Sequence, residues 1–144
     1  LANEPYHNQH WILTPHPGEA GRLLEIPSTA VQADRFAAIQ NIQRAYGGVV
    51  LLKGIGTIIQ SASEFPVVCP AGNPGMASGG MGDVLSGILG GLLAQGLPLS
   101  QAAEVGVMVH AMAGDRAADH GGERGLLASD VLKQLRTLVN PDAY

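Results

Sequence analysis

The chain has 144 residues, 46% of them hydrophobic, and a mean hydropathy of +0.16, enough for one domain with a real core. Its net charge of −4, with no basic cluster, argues against a nucleic-acid groove or an anionic membrane surface as its working partner. A single cysteine, Cys69, excludes an internal disulfide; in the apolar run "VVCP" it reads as a buried thiol in a reducing, cytoplasmic setting.

From the N-terminus, "LANEPYHNQHW" lacks the basic-then-apolar order of a signal peptide. The run "WIL" at 11–13 predicts a short strand, stopped by Thr14-Pro15. Thr29-x-x-Gln32 reads as a capping box that opens a helix with Val31, Ala38, Ile42 and Ala45 on one face, ended by Gly47-Gly48. "VVLLKG" at 49–54 is the near-continuous β-branched and leucine run of a doubly covered parallel strand. "TII" at 57–59 and "PVVC" at 66–69 are further strands, the first paired hairpin-like across Gly54-Ile55-Gly56.

The second half is helical. A helix is expected from Asp83 to Gln95 with Gly96 as its stop. A third is capped by Ser100 and runs to Gly121-Gly122, and a fourth starts near Ser129 with Val131, Leu132, Leu135 and Leu138. The uncharged stretch 84–99 is glycine-interrupted and shorter than the roughly 20 apolar residues of a membrane span. Strands followed by helices in this order predict an α/β fold with a mostly parallel sheet. Three or four short strands are few for helices this apolar, so a further N-terminal part is expected.

"GNPGMASGGMGDVLSGILGGLLAQG", residues 72–96, holds nine of the twenty glycines and one charge, Asp83. It contains neither a P-loop nor a dinucleotide fingerprint, since position 85 is Leu85 where the latter needs glycine. Bare backbone amides at Gly80, Met81 and Gly82 running into a helix can converge on an anion, helped by the helix dipole, and stabilise charge on a phosphoryl group in transfer. Asp83 at the mouth of that site is then a general base, with a plain helix cap as the alternative.

"GGMGD" before an apolar helix resembles the G-x-G-D motif of the ribokinase-like superfamily. With "TPHPGEAGRL", "VLLKGIGT", "VHAMAGDRAA" and "ASDVL" in this order, the chain resembles the ADP-dependent NAD(P)H-hydrate dehydratases over nearly its whole length. The resemblance implies a three-layer α/β/α fold of which residues 1–144 are the C-terminal portion, the N-terminal part of the domain being absent from this chain. It also implies a reaction: ADP phosphorylates the ring hydroxyl of the S-epimer of hydrated NADH or NADPH, and phosphate is then eliminated. Asp83 is the implied base and substrate contact, and Gly80, Met81 and Gly82 the anion hole. Lys53, Gly54, Ile55, Gly56, Thr57 and Gly82 contact the nucleotide, His16 the hydrated dinucleotide, and Glu19 a magnesium ion. A homo-oligomer and an epimerase domain fused upstream are further expectations.

Bland readings stand beside these. Glu19 also suits a first-turn helix carboxylate, and Gly54-Ile55-Gly56 a tight turn between strands. A vitamin-alcohol kinase of the same fold, and a nucleotide-binding domain without catalysis, are the competing functions. His7, His10, His110 and His120 are too scattered for a zinc site, and His110 reads as packed or hydrogen-bonded. Asp115 has no task.

Overall fold

Four consecutive residues, Val49–Leu52 (β2), are buried on both faces of the strand they form. In the computed structural model, which describes residues 6–62 and 65–140, this strand lies inside a four-stranded sheet ordered β1-β2-β3-β4. β1 is Ile12–Leu13, β3 is Ile58–Gln60 and β4 is Val67–Val68. The "LANEPYHNQHW" segment falls partly outside the described residues, which begin at Tyr6.

Alternating side chains of β2 feed two cores. Val50 and Leu52 pack with Ala20, Val31, Ala38, Ile39, Ile42 and Tyr46 from α1 (Pro17–Leu24), α2 (Ser28–Ala33) and α3 (Arg35–Tyr46). Val49 and Leu51 pack with Leu85 and Leu89 of α4 (Met81–Ala94) and Ala103, Val107 and Ala111 of α5 (Leu99–Gly121). Helices therefore cover both faces, the expected α/β/α layering. Each buried valine or leucine contributes about 1.5–3 kcal/mol. A third cluster, with Met81, Val84, Ala113, Ala117 and Val131, joins α4 and α5 to α6 (Ala128–Val139). Cys69 is buried as a free thiol. Among the described residues no helix is long and apolar enough to cross a membrane.

Among the described residues the parallel pairing is that of β1 and β2, joined through the three helices α1–α3; β2–β3 is the antiparallel hairpin expected across Gly54-Ile55-Gly56, and β3–β4 is antiparallel as well. The reason is loop length: the turn at 53–57 is too short for the crossover a parallel pair requires. Other departures are local. Thr29 and Gln32 form no capping box, because the helix begins two residues earlier than that box requires, with Pro27 as its cap. The single helix expected there breaks at Asp34, whose carboxylate accepts the Ala37 N–H at 2.9 Å and opens α3 afresh. Ala45 is exposed, and Tyr46 takes the last core position, its hydroxyl donating to the Leu23 carbonyl at 2.9 Å. Ser100 is inside α5 and caps nothing, since Pro98 precedes that helix. Leu132 is exposed, whereas Val131 is buried and Leu135 and Leu138 pack at its side.

The turn from α3 into β2 fixes the register of the parallel pair. Gly48 has φ +63°, and a Cβ there would overlap the Trp11 carbonyl oxygen and stand 2.5 Å from Trp11 Cδ1. That carbonyl accepts the Val49 N–H at 3.1 Å, the first link between the two strands. Substituting Gly48→Ala combines a left-handed backbone penalty with overlap against main chain, an expected loss of about 2–4 kcal/mol. Denaturant unfolding of the intact polypeptide measures it; a loss below about 0.5 kcal/mol, the scale of an ordinary surface change, would refute this role for the turn.

Candidate functional site

The chain leaves β1 through Thr14-Pro15 and turns into α1 at His16. The imidazole Nδ1 of His16 accepts the Gly18 and Glu19 amides at 3.0 and 3.2 Å, and Glu19 Oε2 accepts the His16 N–H at 2.7 Å. This is a reciprocal capping box with histidine in the serine position, followed by proline at the first helical residue. Because Nδ1 accepts, the neutral ring carries its proton on Nε2. The His16 side chain is half exposed, with Nε2 3.5 Å from Glu19 Oε1. Burial pushes the Glu19 pKa up, but the His16 amide and the nearby positive charge, that of Lys53 foremost, outweigh it and hold the carboxyl below its usual range. Glu19 is thus ionised at neutral pH.

Lys53 leaves the end of β2 at the same place. Its amide donates to the Pro15 carbonyl at 2.9 Å, extending the parallel ladder past the strand. Its ammonium lies 3.7 Å from Glu19 Oε2. The same nitrogen lies beside the glycine stretch, 3.4 Å from where a Gly82 Cβ would stand. After Lys53 the chain turns back through Gly54, Ile55, Gly56 and Thr57, the Thr57 hydroxyl donating to the Gly54 carbonyl at 3.3 Å. Ile55 stands at the tip, almost wholly in solvent.

The glycine stretch begins α4 at Met81, with Gly80 at the cap in the left-handed conformation, φ +85°. No side chain caps this helix. The amides of Met81, Gly82 and Asp83 have no acceptor among the described residues, leaving three orphan donors at the positive end of a 14-residue helix. Asp83 therefore adds its own N–H to the donors that the motif suggested. Its carboxylate is exposed and makes no hydrogen bond or ion pair among the described residues. It is not acting as a cap.

The loop ahead of α4 is braced from behind. Asp115 on α5, without a task in the sequence reading, accepts the Gly72 N–H and the Asn73 side-chain amide, both at 2.9 Å. Asn73 Oδ1 in turn accepts the Gly75 N–H at 3.1 Å and opens a short 3₁₀ turn, Pro74–Met76. Met76 fills the space over Gly114 that a side chain there would occupy. Ser78 donates to the Leu126 carbonyl at 3.0 Å. The "AGD" triplet on α5 was the available signal, but only the fold reveals its partner some forty residues upstream.

His110, also on α5, is packed as expected, and its buried Nε2 has no partner among the described residues. Burial pushes its pKa down and the Lys53 charge adds to this, against a smaller opposing effect of the Met81 backbone. It therefore sits near both Lys53 and the start of α4, which sequence did not indicate. Arg35, at the first position of α3, was also missed; it reaches the carbonyls of the turn after Lys53.

Three segments separated in sequence thus meet: His16–Glu19, Lys53–Thr57 and Gly80–Asp83. Glu19 and Lys53 are paired, and the Lys53 ammonium borders the space into which a Gly82 side chain would project. No group of three or more histidine, cysteine or acidic side chains among the described residues could hold a metal by itself. One carboxylate suits an ion held mainly by phosphate and water, as magnesium is. A separate cleft of about 330 Å³, between the end of α5 and α6, is lined by His120, Arg124, Asp130 and Lys133 and contains none of these residues.

The sequence profile described as NAD(P)H-hydrate dehydratase matches residues 1–137. The chain is 62% identical over 141 residues to the bifunctional NAD(P)H-hydrate repair enzyme of Coxiella burnetii, covering 98% of this chain and 29% of that protein. It is 45% identical over 130 residues to the ADP-dependent (S)-NAD(P)H-hydrate dehydratase of Neisseria meningitidis, covering 90% of this chain and 44% of that one. The crystal structure of the ADP/ATP-dependent NAD(P)H-hydrate dehydratase of Bacillus subtilis, co-crystallised with ATP and Mg²⁺, superposes with a TM-score of 0.84 at 27% identity, over 93% of this chain and 52% of that one. The chain thus spans between about a quarter and about a half of these relatives' lengths. With its ribokinase-like α/β/α layers and its HPGE, KGIGT and GMGD segments gathered at one end of the sheet, the chain belongs to the NAD(P)H-hydrate dehydratase family.

Proposed function

We propose that the intact polypeptide dehydrates the S-epimer of hydrated NADH or NADPH at the expense of ADP, releasing AMP and phosphate. The observation that carries this reading is the meeting of three segments around Lys53: its ammonium lies beside the uncapped N-terminus of α4, with Glu19 paired to the cation and the exposed carboxylate of Asp83 on the first turn of that helix. The orphan amides at the start of α4, with the Lys53 ammonium beside them, suit a phosphate group. In this reading residues 1–144 are the C-terminal portion of a larger domain in a cytoplasmic enzyme. A homo-oligomer and a fused epimerase domain complete the proposal; the repair enzyme of C. burnetii is itself called bifunctional.

The step is a phosphoryl transfer followed by an elimination. The hydroxyl on the reduced nicotinamide ring attacks the β-phosphorus of ADP, the bond to the bridging oxygen breaks, and AMP leaves. Phosphate then departs from the ring carbon, driven by the lone pair of the ring nitrogen, and loss of a ring proton restores the dihydropyridine. Asp83 is the group that takes the hydroxyl proton; its free, exposed carboxylate suits a base that acts late, as loose phosphoryl transfer requires. The amides of Gly80, Met81 and Gly82, with that of Asp83, hold charge on the transferring group. The turn from Lys53 to Thr57, with Gly82, holds the nucleotide. His16 meets the hydrated dinucleotide through Nε2, because Nδ1 is already committed to the α1 cap. Glu19 is the residue that would hold magnesium, which would supply positive charge to offset that of the phosphates.

Two measurements test this. Asp83→Asn keeps the size of the side chain but cannot accept a proton, so dehydration by the intact polypeptide should fall by about a hundredfold or more. ADP affinity should stay within about threefold, a change of under about 0.7 kcal/mol. Near-normal turnover in that variant would remove the base from the scheme. Second, chromatography of the nucleotides should show ADP converted to AMP with one phosphate per dinucleotide repaired. Efficient conversion of ATP to ADP with little AMP formed from ADP would overturn ADP as the donor, and a stable phosphorylated product would favour a kinase.

A further inference from the structure

Arg35 lies on the opposite side of the sheet's end from α4, yet its guanidinium is spent on the turn between β2 and β3. Nη1 donates to the Ile55 carbonyl at 2.5 Å and Nη2 to the Leu52 carbonyl at 3.0 Å, with the Lys53 carbonyl a longer 3.5 Å from Nη2. No acidic side chain pairs with it among the described residues. Nε is buried without a partner among the described residues, so the hydrogen bonds of this guanidinium go only to main-chain carbonyls, and their consequence is the orientation of the peptide planes they hold.

In a trans peptide the carbonyl of one residue and the N–H of the next point in opposite directions. The Leu52 carbonyl points to Arg35, and the Lys53 N–H accordingly points away, to the Pro15 carbonyl just ahead of His16. By the same rule the Ile55 carbonyl directs the Gly56 N–H away from the guanidinium, and the Lys53 carbonyl directs that of Gly54. Neither amide, nor that of Ile55, has an acceptor among the described residues. The turn is thus sorted, with carbonyls towards Arg35 and unpaired donors away from it.

We propose that Arg35 is a positioning residue for the nucleotide: by holding the carbonyls of Ile55 and, at longer range, Lys53 it keeps the amides of Gly56 and Gly54 turned outward as donors for ADP. This rests on the nucleotide role assigned above to the turn from Lys53 to Thr57. Arg35 itself touches no substrate. Without the fork, the glycine peptides can rotate and present carbonyl oxygens instead, which repel a phosphate. Lysine cannot replace it, because one ammonium on a flexible stem does not hold two carbonyls in a fixed plane.

The test uses the intact polypeptide with Arg35→Ala and Arg35→Lys. ADP and AMP binding is followed by calorimetry without the second substrate, and steady-state kinetics are run with each substrate varied in turn. Both variants should weaken ADP and AMP binding and raise the KM for ADP by about tenfold, each tenfold being about 1.4 kcal/mol. The KM for the hydrated dinucleotide and kcat at saturating ADP should stay within about twofold. Unchanged ADP affinity in either variant overturns the proposal, including full rescue by Arg35→Lys, which would show that charge alone suffices. Equal losses for both substrates, in step with the folded fraction seen by thermal melting, also overturn it. Should Arg35→Ala not fold, Arg35→Lys decides. A wild-type protein that binds no adenine nucleotide would defeat the functional reading and this proposal together, an outcome visible before any substitution is made.

Discussion

The site hangs from the end of β2. Because both faces of this strand are buried, slipping it by one residue would exchange the side chains owed to the two cores, so its register is firmly held. Lys53, the first residue past it, is therefore delivered to a fixed point between the first turns of α1 and α4. Open α/β sheets bind ligands at the carboxyl ends of their strands for this reason: the rails are rigid and the loops beyond them are free to specialise. The Lys53–Glu19 pair, at 3.7 Å with a carboxylate partly in water, contributes well under about 1 kcal/mol. Its importance is where it puts charge. A cation next to a helix N-terminus is unfavourable for the folded protein, and in the proposed function an arriving phosphate would offset that cost.

Each turn of the candidate site has its own side-chain brace. His16 and Glu19 brace each other through the α1 capping box. Arg35 holds the turn after β2, and Asp115 with Asn73 holds the loop before α4. Glycine-rich segments are costly to order, and these side-chain contacts to backbone set their conformation without filling the space in front of them. That division lets bare backbone face a ligand while its rear is hydrogen-bonded.

Local chemistry was legible and long-range partnership was not. The start of α4 could be placed from Gly80-Met81-Gly82-Asp83, and its end from Gly96, because glycine marks backbone conformations that other residues avoid. β2 could be placed from its unbroken apolar run. The break at Asp34 was hidden because Val31, Ala38 and Ile42 keep a helical spacing straight across it; the Asp34-Arg35 pair was the only mark, and it reads equally as a solvated face. His16 as a helix cap escaped notice because histidine is not among the usual capping residues, although Glu19 three residues on completes the box. Arg35 and Asp115 could not have been assigned, since their partners lie at least 17 and 42 residues away and exist only once the sheet has formed. The antiparallel β2–β3 pair was legible as a hairpin, because the short turn at 53–57 leaves no room for a crossover.

The convergence of the three segments on one anion is tested most directly by a crystal structure of the intact polypeptide with ADP. The β-phosphate is expected against the amides of Met81, Gly82 and Asp83, within reach of the Lys53 ammonium, and the adenosine end against the turn from Lys53 to Thr57. A β-phosphate bound away from the start of α4, with Lys53 still paired to Glu19 alone, would contradict it.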